Sequence, residues 1–405
     1  MKIPPVVAFL LTRTLLLCSS VRVPVAAANN NATLTLLSGI PTSKCLDGSS
    51  SGFYYKPATR SGGKTKWIFM LEGGGLCSHQ QDCQGRAKTD LGSSNAWAQT
   101  FDFDTISITS SDPSNPFAGW NYVYMPYCDG GMWSGQRTSA SNETFGLYFS
   151  GHNNVAATIG HLSEKNGLNT TGNFVIFSGG SAGGVGVFAN YEYVAEQLST
   201  GGVTVVGAPV GGFPPALQWY TGKNSDIPEE DVRNSNFPYL YHLFDAYTSE
   251  NCRKAYTSKA DYYKCFIPYM AYSHFKTPVF IIEAITDVVI MGGFEGMAHT
   301  EKALFNPDVW KWIKEYGVNA TENFKQINAT RDGLFAPSCL LHTQFYLDKP
   351  IIDNTNVATA LYGWAEQYMP SSRAVQAKAG KHMYMDVCKS GTYYPPCNKK
   401  CPKIF

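Results

Sequence analysis

The chain has 405 residues, 44% hydrophobic and 16% charged, with a formal net charge of +1. That length and apolar content fill a sizeable core, as one large α/β domain or as two smaller ones. The near-neutral balance, with no extended basic stripe, argues against nucleic acid as a partner; the short basic tail Lys399-Lys400-Cys401-Pro402-Lys403 reads as a solvated terminus.

Residues 1–28 read as a secretory signal. Lys2 gives the positive start, Val6 to Leu17 the apolar stretch, which Arg13 interrupts, and Ala26-Ala27-Ala28 the cleavage site. No apolar run approaches the ~20 residues that a bilayer span needs, so no membrane span is expected. Residues 29–405 then read as a single domain. Its strand candidates, in order, are Trp67–Leu71, Tyr122–Met125, Phe174–Phe177, Val203–Val206 and Pro278–Ile282. These runs are almost wholly apolar, as strands buried on both faces should be, and helix-compatible segments separate them. The pattern predicts an α/β fold with a mostly parallel central sheet and helices on both faces. The segment 214–272, rich in Tyr, Asn and Ser, reads as a helical insertion or cap. Residues 378–405 form a Cys-rich tail.

Gly179-Gly180-Ser181-Ala182-Gly183 is a G-x-S-x-G sequence between the strand ending at Phe177 and a helix expected from Val185 to Gln197. Strand, sharp turn and helix are the setting of a nucleophile elbow, in which the serine hydroxyl stands exposed at the carboxyl end of a sheet. A serine hydroxyl needs a base to take its proton, and the base needs an orienting carboxylate. In α/β-hydrolase order these follow as acid and then histidine. Asp287, shortly after the strand Pro278–Ile282, fits the acid, with Glu283 as a rival placed to pair locally. His342 fits the base, and Cys339 is placed to pin its loop by a disulfide. His299, in an expected helix, and His382, near the Cys-rich tail, are the other later histidines considered. Glu72-Gly73-Gly74-Gly75-Leu76-Cys77 follows the first strand candidate. Its backbone can approach a developing oxyanion, to which Ala182 adds a further N–H. A phosphate-binding loop would end in Gly-Lys-Ser/Thr, which this one lacks.

Ten cysteines follow the signal, an even number that fits up to five disulfides in an oxidising compartment. A zinc site is disfavoured, since no C-x-x-C pair occurs. Sequons at Asn31, Asn142, Asn169, Asn319 and Asn328 suit a secreted, glycosylated surface.

Taken in order, several blocks resemble the pectin acetylesterase and Notum family of secreted α/β-hydrolases. They are Cys45-Leu46-Asp47-Gly48-Ser49 with Gly52-Phe53-Tyr54-Tyr55; Leu71 to Cys77 with Cys83; and Leu91-Gly92-Ser93-Ser94. Trp120-Asn121 through Tyr127-Cys128-Asp129-Gly130 follows, with Trp133-Ser134-Gly135, then Gly179 to Gly184, Asp287, and Ser338-Cys339-x-x-His342. The resemblance implies a Ser181–His342–Asp287 relay and an oxyanion hole of the Gly74, Gly75 and Ala182 amides. It implies Cys45–Cys128 and Cys77–Cys83 disulfides; the serine mechanism itself needs no metal or organic cofactor. Plant members of the family remove O-acetyl groups from pectin, and Notum-type members remove a palmitoleoyl ester from a serine of Wnt proteins. The plant oxyanion block reads Gly-Gly-Gly-Trp-Cys and that of Notum Gly-Gly-Trp-Tyr-Cys. This chain has the plant-type glycine but carries Leu76 in place of the aromatic residue.

The function expected is hydrolysis of O-acyl esters, foremost O-acetyl esters of a pectin-like polysaccharide, in the extracellular space. A lipid-ester hydrolase acting on an acylated protein is the second reading. A carbohydrate- or protein-binding module with a dead site is the third. Trp97, Trp120 and Trp133 are candidates for stacking on sugar rings or lining an acyl pocket, set against the commoner place of aromatic residues in the core.

Overall fold

The computed structural model describes residues 30–215, 236–294, 307–370 and 382–402. The proposed signal, His299 and part of the 214–272 segment lie outside these. A ten-stranded sheet runs through the described residues in the order β10-β9-β8-β7-β6-β3-β5-β2-β1-β4. The strands are β1 (Asn31–Leu36), β2 (Gly52–Lys56), β3 (Lys66–Leu71), β4 (Thr100–Asp102) and β5 (Asn121–Met125). They continue as β6 (Phe174–Gly180), β7 (Thr204–Val210), β8 (Phe280–Ile282), β9 (Gly333–Ala336) and β10 (Met383–Met385). From β5 to β10 every neighbouring pair is parallel, whereas β2, β1 and β4 close the other edge antiparallel.

All five strand candidates fall in this parallel body, for the reason their composition gave. Along β3, Trp67, Phe69 and Leu71 enter one hydrophobic cluster, and Ile68 and Met70 enter the cluster on the opposite face. Along β6, Val175 and Phe177 alternate in the same way with Phe174 and Ile176. Helices α1 (Gln80–Arg86), α2 (Gly151–Asn166) and α3 (Ala182–Ser199) precede β7. Between β7 and β8 lie α4 (Asn236–Phe244), α5 (Glu250–Arg253) and α6 (Pro268–Ala271), the described part of the helical insertion. Helices α7 (Pro307–Phe324) and α8 (Val357–Ala365) follow. Val357, Leu361 and Trp364 of α8 join the second cluster, whereas α3 lies in the first, so both faces of the sheet carry helices.

Five disulfides bind the described chain: Cys45–Cys128, Cys77–Cys83, Cys252–Cys265, Cys339–Cys401 and Cys388–Cys397. Among the described residues no helix is long and apolar enough to cross a membrane.

Candidate active site

In a parallel sheet all the carboxyl ends of the strands lie on one edge, so loops from distant parts of the sequence meet there. Here β3 delivers Gly73 to Gly75, β6 delivers Ser181, β8 leads to Asp287, and β9 leads to His342. Ser181 sits between β6 and α3 with φ 57° and ψ −123°, a left-handed backbone that a side chain seldom adopts. Its N–H donates to Val210 O at 2.8 Å, which anchors the turn to the end of β7. The flanking glycines are demanded by contact. A Cβ on Gly183 would stand 2.1 Å from Leu71 O, and one on Gly179 would stand 2.5 Å from Gly183 O.

His342 and Asp287 are brought together. Nδ1 of His342 lies 2.7 Å from Oδ2 of Asp287, and the other carboxylate oxygen accepts N–H groups of Val289 and Ile290 at 2.8 and 2.9 Å. A carboxylate on Nδ1 fixes the ring and leaves Nε2 as the acceptor. Nε2 is buried and makes no hydrogen bond among the described residues, so Ser181 is not yet joined to it. The acid and base loops are stitched by Ile285 N–H to Pro337 O at 3.0 Å and by Thr286 Oγ1 to Cys339 O at 3.2 Å. His382 is disposed of by register. Its carbonyl accepts from Leu334 N–H at the amino-terminal part of β9, the far edge of the sheet from Ser181.

The glycine loop lies against the elbow, with a Cβ built on Gly73 only 2.8 Å from the Cβ of Ser181. Gly74 and Gly75 have φ of 153° and 69°. Their carbonyls are tied back: Arg86 Nη1 donates to Gly74 O at 2.8 Å, and Tyr127 Oη donates to Gly75 O at 2.7 Å. Arg86 Nη2 also reaches Leu76 O at 3.3 Å. These bonds hold the glycine loop in place against the elbow. Arg86 escaped sequence reasoning; an arginine on a short helix, three residues after Cys83, gives no signal by itself. Leu76 is half-buried and packs on the core. A cavity of about 270 Å³ adjoins Gly73, Gly180 and Thr343 on the α8 face, walled by Met70, Tyr124 and Leu361.

Trp97, Trp120 and Trp133 do not offer stacking surfaces. They are 9%, 4% and 1% exposed, and Trp133 Nε1 donates to Glu72 O at 2.9 Å, so they serve the core and the glycine loop. The five sequon asparagines are all exposed.

Residues 25–402 match the family described as Pectinacetylesterase. Among curated relatives, the palmitoleoyl-protein carboxylesterase notum1' of Xenopus laevis is 28% identical over 89% of this chain and 72% of its own. The palmitoleoyl-protein carboxylesterase NOTUM of Homo sapiens is 28% identical over 94% of this chain and 75% of its own. A crystal structure of the Wnt deacylase Notum from Drosophila superposes with a TM-score of 0.76 at 25% identity, covering 92% of this chain and 100% of that one.

Proposed function

The chain belongs to the pectinacetylesterase family and is a carboxylic ester hydrolase, and from that premise we propose that it removes O-acetyl groups from a pectin-like polysaccharide. The observation that carries the reading is the buried His342–Asp287 pair, with Ser181 held in a left-handed turn at the carboxyl edge of the same sheet. In this mechanism Nε2 of His342 takes the proton of Ser181 as Oγ attacks the ester carbonyl. The tetrahedral oxyanion accepts N–H groups of Gly74, Gly75 and Ala182. Collapse expels the alcohol, which leaves with the proton from Nε2. Water, deprotonated by the same nitrogen, then attacks the acyl-enzyme and releases the carboxylic acid. Asp287 keeps the imidazole oriented and balances its transient positive charge.

Gly75 supports the polysaccharide reading. Where the Notum block carries tryptophan this loop carries an exposed glycine, which builds no aromatic wall for a long acyl chain. The five disulfides support secretion, with residues 1–28 removed and 29–405 acting as one catalytic domain in the cell wall or matrix. The second reading, removal of a fatty acyl group from a protein serine, rests on the names of the curated relatives. Hydrolysis of p-nitrophenyl esters of increasing acyl length by the purified protein, beside its Ser181→Ala variant, tests both. Acetate preferred favours the deacetylase, and octanoate or longer favours the lipid esterase. No turnover above the variant with any ester makes the binding-module reading the one to pursue.

A further inference from the structure

Glu283 is wholly buried, as is Asp287 four residues later. Its place is fixed from two sides. Its own N–H donates to Phe335 O at 3.1 Å, continuing the β8–β9 pairing, and its Oε2 accepts the N–H of Phe213 at 2.8 Å. The other oxygen, Oε1, is buried and has no N–H or O–H donor among the described residues; the charge that acts on the Glu283 carboxyl is that of Asp287, four residues on. Two carboxylates enclosed together cannot both ionise. The donors decide which one does. Asp287 receives two backbone N–H groups and the imidazole Nδ1–H, all of which favour its anion. Among the described residues Glu283 receives the backbone N–H of Phe213 and no cation. Burial, and then the Asp287 charge, push the Glu283 carboxyl well above the ordinary carboxylate range.

We propose that Glu283 is a positioning residue of the esterase: as a neutral acid it donates its carboxyl O–H to Asp287 and holds that carboxylate square to His342. The same carboxyl group steadies a second wall of the site. Its acceptor oxygen fixes the Phe213 backbone, and nearby Gly211 lies so close to the imidazole that a Cβ there would stand 3.0 Å from Cε1 and Nδ1 of His342. The titratable groups in this cluster are Glu283, Asp287 and, beyond Asp287, His342. The proposal rests on the reading of Asp287 and His342 as acid and base.

The test compares Glu283→Leu and Glu283→Gln with the wild type, as pH profiles of kcat/KM on p-nitrophenyl acetate. Leucine removes the donor, which makes Asp287 more basic and the imidazolium easier to form. Turnover should fall roughly 10-fold or more, and the acidic limb should move to higher pH. Glutamine keeps an N–H for Asp287 and an oxygen for Phe213. It should recover most of what leucine loses and return the limb towards its wild-type position. A wild-type profile for Glu283→Leu overturns the proposal. So does an acidic limb that drops by about one unit or more in Glu283→Gln, since that marks the removal of a negative charge. Should Glu283→Leu not fold, the glutamine profile decides alone. Ser181→Ala and Asp287→Asn, run beside these, separate the two failures. Full activity in either of them sinks the reading of the site, whereas their inactivity with wild-type Glu283 profiles sinks only the role of Glu283.

Discussion

Cys339, three residues before His342, is joined by a disulfide to Cys401, 62 positions later. The tail that carries Cys401 grips the base loop at further points. Ser338 N–H donates to Asp386 Oδ2 at 2.8 Å, and Cys397 N–H donates to Ser338 Oγ at 3.1 Å. Asn398 Nδ2 donates to the same Asp386 oxygen at 2.7 Å, and Cys388–Cys397 closes the tail on itself. The Cys-rich tail is therefore a clamp on the loop that presents the imidazole.

The Cys339→Ala/Cys401→Ala double variant should lose both stability and turnover. Freeing a loop of 62 residues costs about 4 kcal/mol in the chain-entropy limit. Misplacing the base by a fraction of an ångström should lower kcat roughly 10- to 100-fold. Thermal unfolding and steady-state kinetics with p-nitrophenyl acetate check the two parts. A variant that loses stability but keeps kcat would show that the tail clamps the fold and not the imidazole.

Ser181 should trade stability for function. Its φ of 57° strains any residue with a Cβ by roughly 1–2 kcal/mol. Ser181→Gly should therefore melt higher than Ser181→Ala, while both lose roughly 10³- to 10⁶-fold in turnover. Equal melting temperatures for the two variants would mean that the turn is not strained.

Arg86 should act on the glycine loop without touching substrate. With Arg86→Met the carbonyls of Gly74 and Leu76 lose their donors, and the Gly74 and Gly75 amides lose their fixed aim. The expected loss is in kcat, roughly 10- to 100-fold and short of deleting an oxyanion donor, with KM little changed. A rise in KM alone would place Arg86 in substrate binding instead.

The sequence made the parallel body and the elbow legible because physics is local there. Strands buried on both faces are continuously apolar, and a strand running into G-x-S-x-G has few other uses. The remaining strands carried no such signal. In β1, Asn-Ala-Thr-Leu-Thr-Leu alternates and is largely exposed; β9 is four residues without a β-branched side chain. Chain order and the Pro278–Ile282 run point to Asp287, and chain order alone points to His342, since β9 before it gives no strand signal. What Arg86 does for Gly74, and which cysteine pairs with Cys339 to pin the base loop, depend on contacts between elements that no spacing encodes. The tryptophans mark the converse case. Aromatic residues near site motifs invite a ligand role, but burying their large apolar surface is the stronger demand.

Asp129 should make stability fall with rising pH across a defined window. It is wholly buried; Oδ2 accepts the N–H of Gly131 at 2.9 Å, and Oδ1 has no partner among the described residues. Burial pushes its carboxyl up from 3.8 to about 7. Below about pH 4 both folded and unfolded chains hold the proton, and Asp129 contributes no pH dependence. Between about pH 4 and 7 the unfolded chain has released the proton while the folded chain keeps it. Folding then takes up a proton and weakens as pH rises, by on the order of 1.4 kcal/mol per unit at most. Above about pH 7 both states are ionised and the loss stays constant. Asp129→Asn removes the titration while keeping an oxygen for Gly131. Its melting temperature relative to wild type should therefore climb from pH 4 to 7 and then level off. A difference that stays flat over that range would mean that the folded protein holds Asp129 as a stabilised anion.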